Sequence, residues 1–259
     1  MLRIDNPLLN KPLLFLMKFM YLGSWGKKYE IYNVNKFTKF KIRVGSVDKF
    51  TILDIYKSSE YERHGFKIKK NQVVVDLGAH VGSFSVLASS VVGKGGAVYA
   101  YEPDKYSFDL LKFNKRLNKC SNLKLFNIAV WKKEGFVNFS SSDIDSWSSS
   151  MFRKDLDSKY SVKAQTLPEI FGGIKRKVDF LKMDIEGAEF EIFKNLDRKD
   201  FKNVDKIVLE FHNFIENKAN KHMEIVNRLK KFGYFVSIYS IFPLSIPFFG
   251  LGIITAKKI

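Results

Sequence analysis

Cysteine is almost missing from these 259 residues. Cys120 is the one thiol, so no disulfide can close within the chain, and no Cys/His spacing matches a zinc site. That usage fits a reducing, cytoplasmic setting. Arginine is scarce as well: eight of the 44 basic residues are Arg, although the formal net charge is +17. Arginine supplies the planar fork that recognises phosphate, and no arginine-rich run or aromatic RNA-binding motif occurs. A nucleic-acid partner is therefore disfavoured, and a lysine-rich solvated surface is the expected use of the charge.

Charge is missing altogether from residues 232–256, a length that could span a bilayer. Pro243, Pro247, Gly250 and Gly252 interrupt it, and "YFVSIYSI" and "LGIITA" read as two short strands. An antiparallel terminal pair is expected rather than a membrane hairpin. The segment "KPLLFLMKFMYLGSW" (11–25) is apolar but broken by Lys18 and lacks a small-residue cleavage site. It reads as a helix rather than a signal peptide, with Asn10 as cap and Pro12 in the first turn. Its basic, apolar character also suits a peripheral contact with an anionic membrane surface.

With 46% hydrophobic residues the chain can bury a full core. The first 70 residues stand apart as an N-terminal extension of substrate- or membrane-contacting character, followed by a main domain over 71–259. In "TKFKIRV" (38–44), Phe40, Ile42 and Val44 alternate with Lys39, Lys41 and Arg43, predicting a strand with one wet face. "DKFTILDIYKSSEYERHGF" (48–66) predicts a helix with Ile52, Ile55 and Tyr56 inward.

From residue 72 short apolar runs alternate with amphipathic segments. "QVVVDLG", "GAVYAYE", "LKLFNIAV", "VDFLKMD" and "DKIVLEFH" predict five strands separated by helices. That rhythm implies βαβ units and a parallel sheet covered on both faces, a Rossmann-like α/β fold. Between the third and fourth strands lies an insertion (132–165) containing "SSSDIDSWSSS", read as a mobile loop or a lid carrying Trp147.

In such sheets ligands bind at the carboxyl ends of the strands, where strand order reverses. The first of these ends is "DLGAHVG", Asp76 to Gly82. Gly78 permits a tight turn, and Gly82 opens the helix without a side chain. A dinucleotide fingerprint requires glycine where His80 stands, so a pyrophosphate is disfavoured. Glu102 ends the second strand, 26 residues after Asp76, where an acid can accept both hydroxyls of a ribose. A nucleoside ligand without a diphosphate satisfies both loops, and S-adenosyl-L-methionine has that composition.

The segments "VVVDLGAHVGSFSVLA", "VYAYEPDKYSFDLLKFNKRLN" and "VDFLKMDIEGAEFEIFKNL" resemble the FkbM family of class I S-adenosylmethionine-dependent methyltransferases, over roughly residues 40–256. The resemblance implies a seven-stranded sheet whose last two strands are antiparallel, and O-methylation of a hydroxyl on a sugar, glycan, glycolipid or natural product. It also implies that Gly78, Ala79, His80 and Gly82 border the cofactor and that Asp76 supports their loop. Glu102 would hold the ribose with Pro103 shaping the turn, and Asn127 or Ala129 would sit near adenine. Two departures stand out. His80 replaces a common asparagine, and "TLPEI" (166–170) replaces a segment that often carries an acidic pair.

The fourth strand ends in "FLKMDIEGAEF", an apolar run that carries Lys182, Asp184, Glu186 and Glu189. Alternation puts Lys182 and Asp184 on one face, where they can neutralise each other, with Glu186 on the same rim. Asp184 or Glu186 could orient or deprotonate an acceptor hydroxyl, Lys182 could position the carboxylate or steady an alkoxide, and His212 is a rival base. Glu189 is expected only to favour its helix N-terminus. No metal is required by this arrangement, although carboxylate-bound Mg²⁺ is compatible with it. RNA methylation, for which the "N/D-P-P-Y/F" motif is missing, and a non-catalytic scaffold are the alternatives.

Overall fold

The computed structural model describes residues 27–58, 60–62, 65–141, 158–212, 221–239 and 251–259. The helix expected at 11–25 and the contact expected from Trp147 lie outside the described residues. A hairpin of β1 (Tyr29–Asn33) and β2 (Lys39–Arg43) comes first, then α1 (Asp48–Leu53), which runs on into a π turn (Asp54–Ser58) and a 3₁₀ turn (Glu60–Glu62). The main sheet begins with β3 (Val73–Leu77), α2 (Ser83–Val92), β4 (Ala97–Tyr101), α3 (Lys105–Leu117) and β5 (Leu123–Phe126). There follow β6 (Ala129–Val130), β7 (Gly135–Ser141), β8 (Ser158–Gln165) and α4 (Leu167–Gly172). The chain ends with β9 (Val178–Met183), α5 (Glu189–Phe193), β10 (Val204–His212), α6 (His222–Lys231), β11 (Tyr234–Tyr239) and β12 (Leu251–Lys258).

Seven strands form one sheet in the order β11-β12-β10-β9-β3-β4-β5. Pairing is parallel from β5 to β10, and β12 lies antiparallel between β10 and β11. The uncharged C-terminal run thus supplies the antiparallel pair that its prolines and glycines predict. Among the described residues no helix is long and apolar enough to cross a membrane.

The central strands are buried on both faces: apart from Asp179, Asp205 and Lys206 at the starts of β9 and β10, their charged residues stand toward the carboxyl ends. Every residue of β3 is buried. Val73, Val75 and Leu77 pack into a cluster with Leu181 and Leu209, whereas Val74 joins Phe180 and Val208 on the opposite face. Each such aliphatic side chain contributes about 1.5–3 kcal/mol. That second face is covered by α2 and by the N-terminal segment, whose Phe40, Ile42, Ile52, Ile55, Tyr61 and Phe66 share its core. Toward the carboxyl ends this face turns from Val74 and Phe180 to charge: Asp76 lies beside Lys182 and Lys182 beside Val208, with Glu210 two residues further along β10.

Three expectations need correction. Arg43 does not share the wet face of Lys39 and Lys41; it is 2% exposed, because Asp48 turns back to bind its guanidinium at 2.7 Å. The insertion is not simply a loop: β7 and β8 pair antiparallel and, with β6, form a separate three-stranded sheet. The third strand is shorter than its apolar run, since β5 stops at Phe126 and Ala129–Val130 leave the main sheet to pair with β8.

Asn114 on α3 fixes β2 to the main domain. Its side chain accepts from Lys41 N (2.7 Å) and donates to Lys41 O (3.1 Å) and Val81 O (2.9 Å). Asn114→Ala is expected to cost about 2–4 kcal/mol, since backbone groups are left unpaired. Thermal unfolding monitored by circular dichroism should show a fall of roughly 5–12 °C; an unchanged transition would mean that water replaces these bonds.

Candidate active site

The chain proceeds from β3 to β4 and β5 on one side of the sheet, then crosses to β9 and β10 on the other, so strand order reverses between β3 and β9. A cleft of about 1000 Å³, its open mouth included, lies at that point. The loops after β3, β4 and β9 contribute Gly78, Ala79, His80, Glu102, Pro103, Asp184 and Glu186 to its lining.

The loop after β3 is held by its own backbone. Gly78 N and Ala79 N both donate to Tyr101 O at 3.0 Å, and His80 takes the left-handed conformation with φ of 53°. His80 N donates to Glu102 Oε2 at 2.6 Å, and Asp104 N donates to Glu102 Oε1 at 2.8 Å. Two backbone amides therefore aim the carboxylate of Glu102 along the wall of the cleft. Burial pushes this carboxyl up to about 8; Asp104 adds to the shift and the two amides oppose it. Asp76 is fully buried and accepts from Ser85 Oγ at 2.5 Å, tying β3 to α2.

Some expected residues serve the cleft from one step behind. Asn127 does not line it; its side-chain amide donates to Glu102 O (2.8 Å) and Pro103 O (3.0 Å) and so shapes the turn, whereas Ala129 is in the wall. Gly82 also stands back: a Cβ there would meet Leu111 Cδ1 at 2.5 Å, so its lack of a side chain serves helix packing. Gly78 is where two loops touch, since a Cβ would fall 1.7 Å from Asp184 O. His80 uses its ring as well, with Nε2 2.9 Å from Arg43 Nη2 and 3.1 Å from Asp48 Oδ1. The N-terminal segment thereby grips the cofactor loop, a link that no sequence spacing announces.

The charges of "FLKMDIEGAEF" converge below this loop. Lys182 is 3% exposed, and its Nζ donates to Gly78 O (2.7 Å) and lies 3.4 Å from Asp76 Oδ1 and 3.5 Å from Asp184 Oδ2. Burial alone would lower this ammonium, but Asp76, Asp184 and Glu210 raise it above the ordinary lysine range. Lys182 is a fixed cation that ties the loop after β3 to the loop after β9. Asp184 and Glu186 line the cleft, and Glu186 adopts a left-handed backbone, φ 53°. Burial at the cleft floor pushes its carboxyl up to about 7; His212 opposes the shift, and Asp184 and Glu189 add to it.

His212 is 4% exposed at the end of β10. Its Nε2 lies 3.6 Å from Glu186 Oε2, 3.8 Å from Glu210 Oε1 and 4.0 Å from Asp184 Oδ1, and its Nδ1 lies 3.7 Å from Glu189 Oε1. Burial opposes its charge, yet Glu186, Glu189 and Glu210 raise the imidazole well above its ordinary value. Glu189 is thus more than a helix-terminus acid. It is fully buried, because the short α5 begins by turning it inward against His212. Two further residues complete the cluster. Tyr61 places its hydroxyl 2.8 Å from Glu210 Oε2 and 3.2 Å from Asp184 Oδ2. Glu210 was detectable, being two residues before His212 and hence on the same face of the strand. Tyr61 was not, since it arrives from a turn 123 residues away from Asp184.

This sheet order, with a nucleoside-sized cleft at the reversal and an acid at the end of the second parallel strand, defines a class I methyltransferase fold. The chain belongs to the FkbM methyltransferase family: the methyltransferase FkbM domain matches residues 76–236. It is 24% identical over 175 residues to the methyltransferase sdnD of Sordaria araneosa, covering 55% of this chain and 67% of that protein. Its fold is similar to that of the FkbM methyltransferase from Methylobacillus flagellatus, with a TM-score of 0.53, 17% identity and 80% of this chain covered; this chain spans 48% of that protein's length. It is also similar to a chain described as an rRNA methylase from Clostridium thermocellum, with a TM-score of 0.50, 12% identity, and coverage of 80% and 96% of the two chains. The chain thus carries a methyltransferase domain, whose cofactor is S-adenosyl-L-methionine.

The cleft fits that cofactor. It joins a carboxylate suited to a diol (Glu102), an apolar wall (Tyr101, Ile128, Ala129, Val130) and a glycine-containing loop whose backbone is bare of side chains at Gly78.

Proposed function

We propose that this protein O-methylates a hydroxyl group of a sugar, a glycan or a small natural product. The single observation that carries this reading is the pair of carboxylates, Asp184 and Glu186, that line the same cleft as Glu102, with His212 close behind both and Glu210 beside it. An alcohol is a poor nucleophile until its proton is oriented toward a base, and carboxylates at the reacting end supply that. The same charges argue against a polyanionic acceptor: among the described residues lining the cleft, Lys182 is the one Lys or Arg.

When bound, S-adenosylmethionine supplies a methyl group activated by a sulfonium. Glu102 would accept the ribose hydroxyls, Ala129 and Tyr101 would face the base, and Ala79 and His80 would border the amino-acid end. Asp184, its position set by Lys182 and Tyr61, would orient the acceptor hydroxyl, and Glu186 would receive its proton. Alignment of this kind accounts for much of the rate in a displacement at carbon. Thr51, Ile55 and Tyr61 from the N-terminal segment also line the cleft, so that segment would help to select the acceptor.

Calorimetry with S-adenosylhomocysteine tests the cofactor half of the reading. Glu102→Ala should weaken binding roughly 100-fold, the equivalent of about 2–3 kcal/mol for two lost bonds to a charged group. Unchanged affinity would remove Glu102 from the ribose site. Incubation with labelled donor against hydroxylated glycosides and against RNA tests the acceptor half, and label appearing only in RNA would overturn it.

A further inference from the structure

Around and behind Asp184 and Glu186 stands more negative charge than the methyl-transfer reading uses. Asp184, Glu186, Glu189 and Glu210 surround His212, and Asp76 lies just beyond Lys182. Five carboxylates thus gather about Lys182 and His212. Carboxylates held together out of water repel one another, and a cation bound among them would steady the arrangement.

Three ligating atoms, one each from Asp184, Glu210 and His212, lie within 4.8 Å of one another. His212 Nε2 stands 4.0 Å from Asp184 Oδ1 and 3.8 Å from Glu210 Oε1, beyond hydrogen-bond length. Nitrogen and oxygen ligands held about 2.1 Å from one ion at tetrahedral or wider angles are separated by roughly 3.4–3.7 Å. A contraction of a few tenths of an ångström would bring the three onto a shared cation.

Independent features point the same way. Asp184 Oδ1 is shielded from solvent and makes no hydrogen bond. The hydroxyl of Tyr61 stands between Asp184 and Glu210 and holds their carboxylates side by side. Behind the imidazole, Glu189 is fully buried with Oε2 lacking a hydrogen-bond partner and Oε1 3.7 Å from His212 Nδ1. Oε1 accepts from Ile185 N at 3.1 Å, which places this carboxylate behind the imidazole; were it to close to hydrogen-bond length, it would fix the ring in tautomer and orientation.

We propose that Asp184, Glu210 and His212 form a binding site for one divalent cation. A mixed nitrogen and oxygen donor set favours a first-row transition ion such as Mn²⁺ or Zn²⁺ over Ca²⁺ or Mg²⁺, which take oxygen ligands. Because Asp184 and Tyr61 line the cleft, an ion held here faces it and can polarise an acceptor oxygen as a Lewis acid. This goes beyond the methyl-transfer reading, since the ion binds these side chains with or without an acceptor.

The test uses the full chain, stripped with a chelator and titrated with Mn²⁺ or Zn²⁺ by calorimetry and, for Mn²⁺, by electron paramagnetic resonance. One equivalent should bind, with Mg²⁺ at least about 100-fold weaker. Glu210→Gln and Asp184→Asn, which preserve shape, should each weaken binding at least about 100-fold, whereas the surface variant Glu191→Gln should leave it unchanged. Circular dichroism of each variant verifies folding, and the wild-type titration decides the matter should a variant not fold. Absence of binding up to about 1 mM, or affinity unaltered in folded Glu210→Gln, overturns the proposal. S-adenosylhomocysteine binding on the same samples keeps the two readings apart: its retention without metal binding overturns the cation site alone, and its loss with metal binding intact overturns the cofactor assignment alone.

Discussion

Lys182→Met is expected to destabilise the protein by about 3–5 kcal/mol, although methionine fills nearly the same volume. The cost arises from what the ammonium leaves behind. Asp76 is fully buried, Asp184 Oδ1 already makes no hydrogen bond, and Gly78 O accepts from Lys182 at 2.7 Å. Removing one member of a buried ionic cluster strands the others, a larger effect than the net worth of the pair. In a chain of this size the melting temperature should fall by roughly 8–15 °C. Cofactor affinity should fall with it, since the carbonyl that Lys182 holds belongs to the loop bordering the cleft. The double variant with Asp184→Asn should recover part of the loss, because one stranded charge is then removed. A melting temperature within about 2 °C of the wild type in Lys182→Met would show that water or protons already neutralise the cluster.

The same cluster shows how far the sequence speaks for itself. The strands β3, β4, β9 and β10 were legible because burial on both faces demands unbroken apolar runs, and each run is closed by the residues that face the ligand. Alternation sufficed to pair Lys182 with Asp184, and, continued on β10, it places Glu210 with His212. Arg43 was not legible, because alternation assigns it to water beside Lys39 and Lys41; only the return of Asp48 five residues later explains its burial. The end of β5 was hidden for a related reason. Asn127 and Ile128 continue an apolar-looking run, but the Asn127 amide is spent on the Glu102 and Pro103 carbonyls, and the backbone leaves the sheet. The β7–β8 hairpin was obscured by the serine-rich stretch between its strands, which carries no periodic signal. Tyr61 and the Arg43–Asp48–His80 link are tertiary facts: they depend on where the N-terminal segment is laid across the sheet, and short-range patterns do not encode that.

Gly78→Ala is expected to be more damaging than any other glycine substitution in the described part of the chain. Its φ of 76° would strain any side chain, but at Gly45, with φ of 78°, a Cβ meets nothing within 4 Å. Strain of that kind costs about 1–2 kcal/mol. At Gly78 a Cβ would lie 1.7 Å from Asp184 O and 2.9 Å from its carbonyl carbon, both backbone atoms that cannot rotate away. Relief requires parting the loops after β3 and β9, where Asp184 N donates to Leu77 O at 3.0 Å and Lys182 Nζ to Gly78 O. Gly82→Ala is intermediate, because the obstacle is the end of the flexible Leu111 side chain at 2.5 Å. Unfolding measurements on Gly45→Ala, Gly82→Ala and Gly78→Ala should therefore give losses that rise in that order, from about 1 kcal/mol to more than about 4 kcal/mol. Any folded Gly78→Ala protein should also bind S-adenosylhomocysteine at least about 100-fold more weakly, because the displaced loop carries Ala79 and His80. Equal losses at the three positions would mean that backbone strain alone decides them and that the contact between the two loops is slack. A Gly78→Ala variant that is folded and binds normally would remove the close approach of those loops as the feature that shapes the cleft.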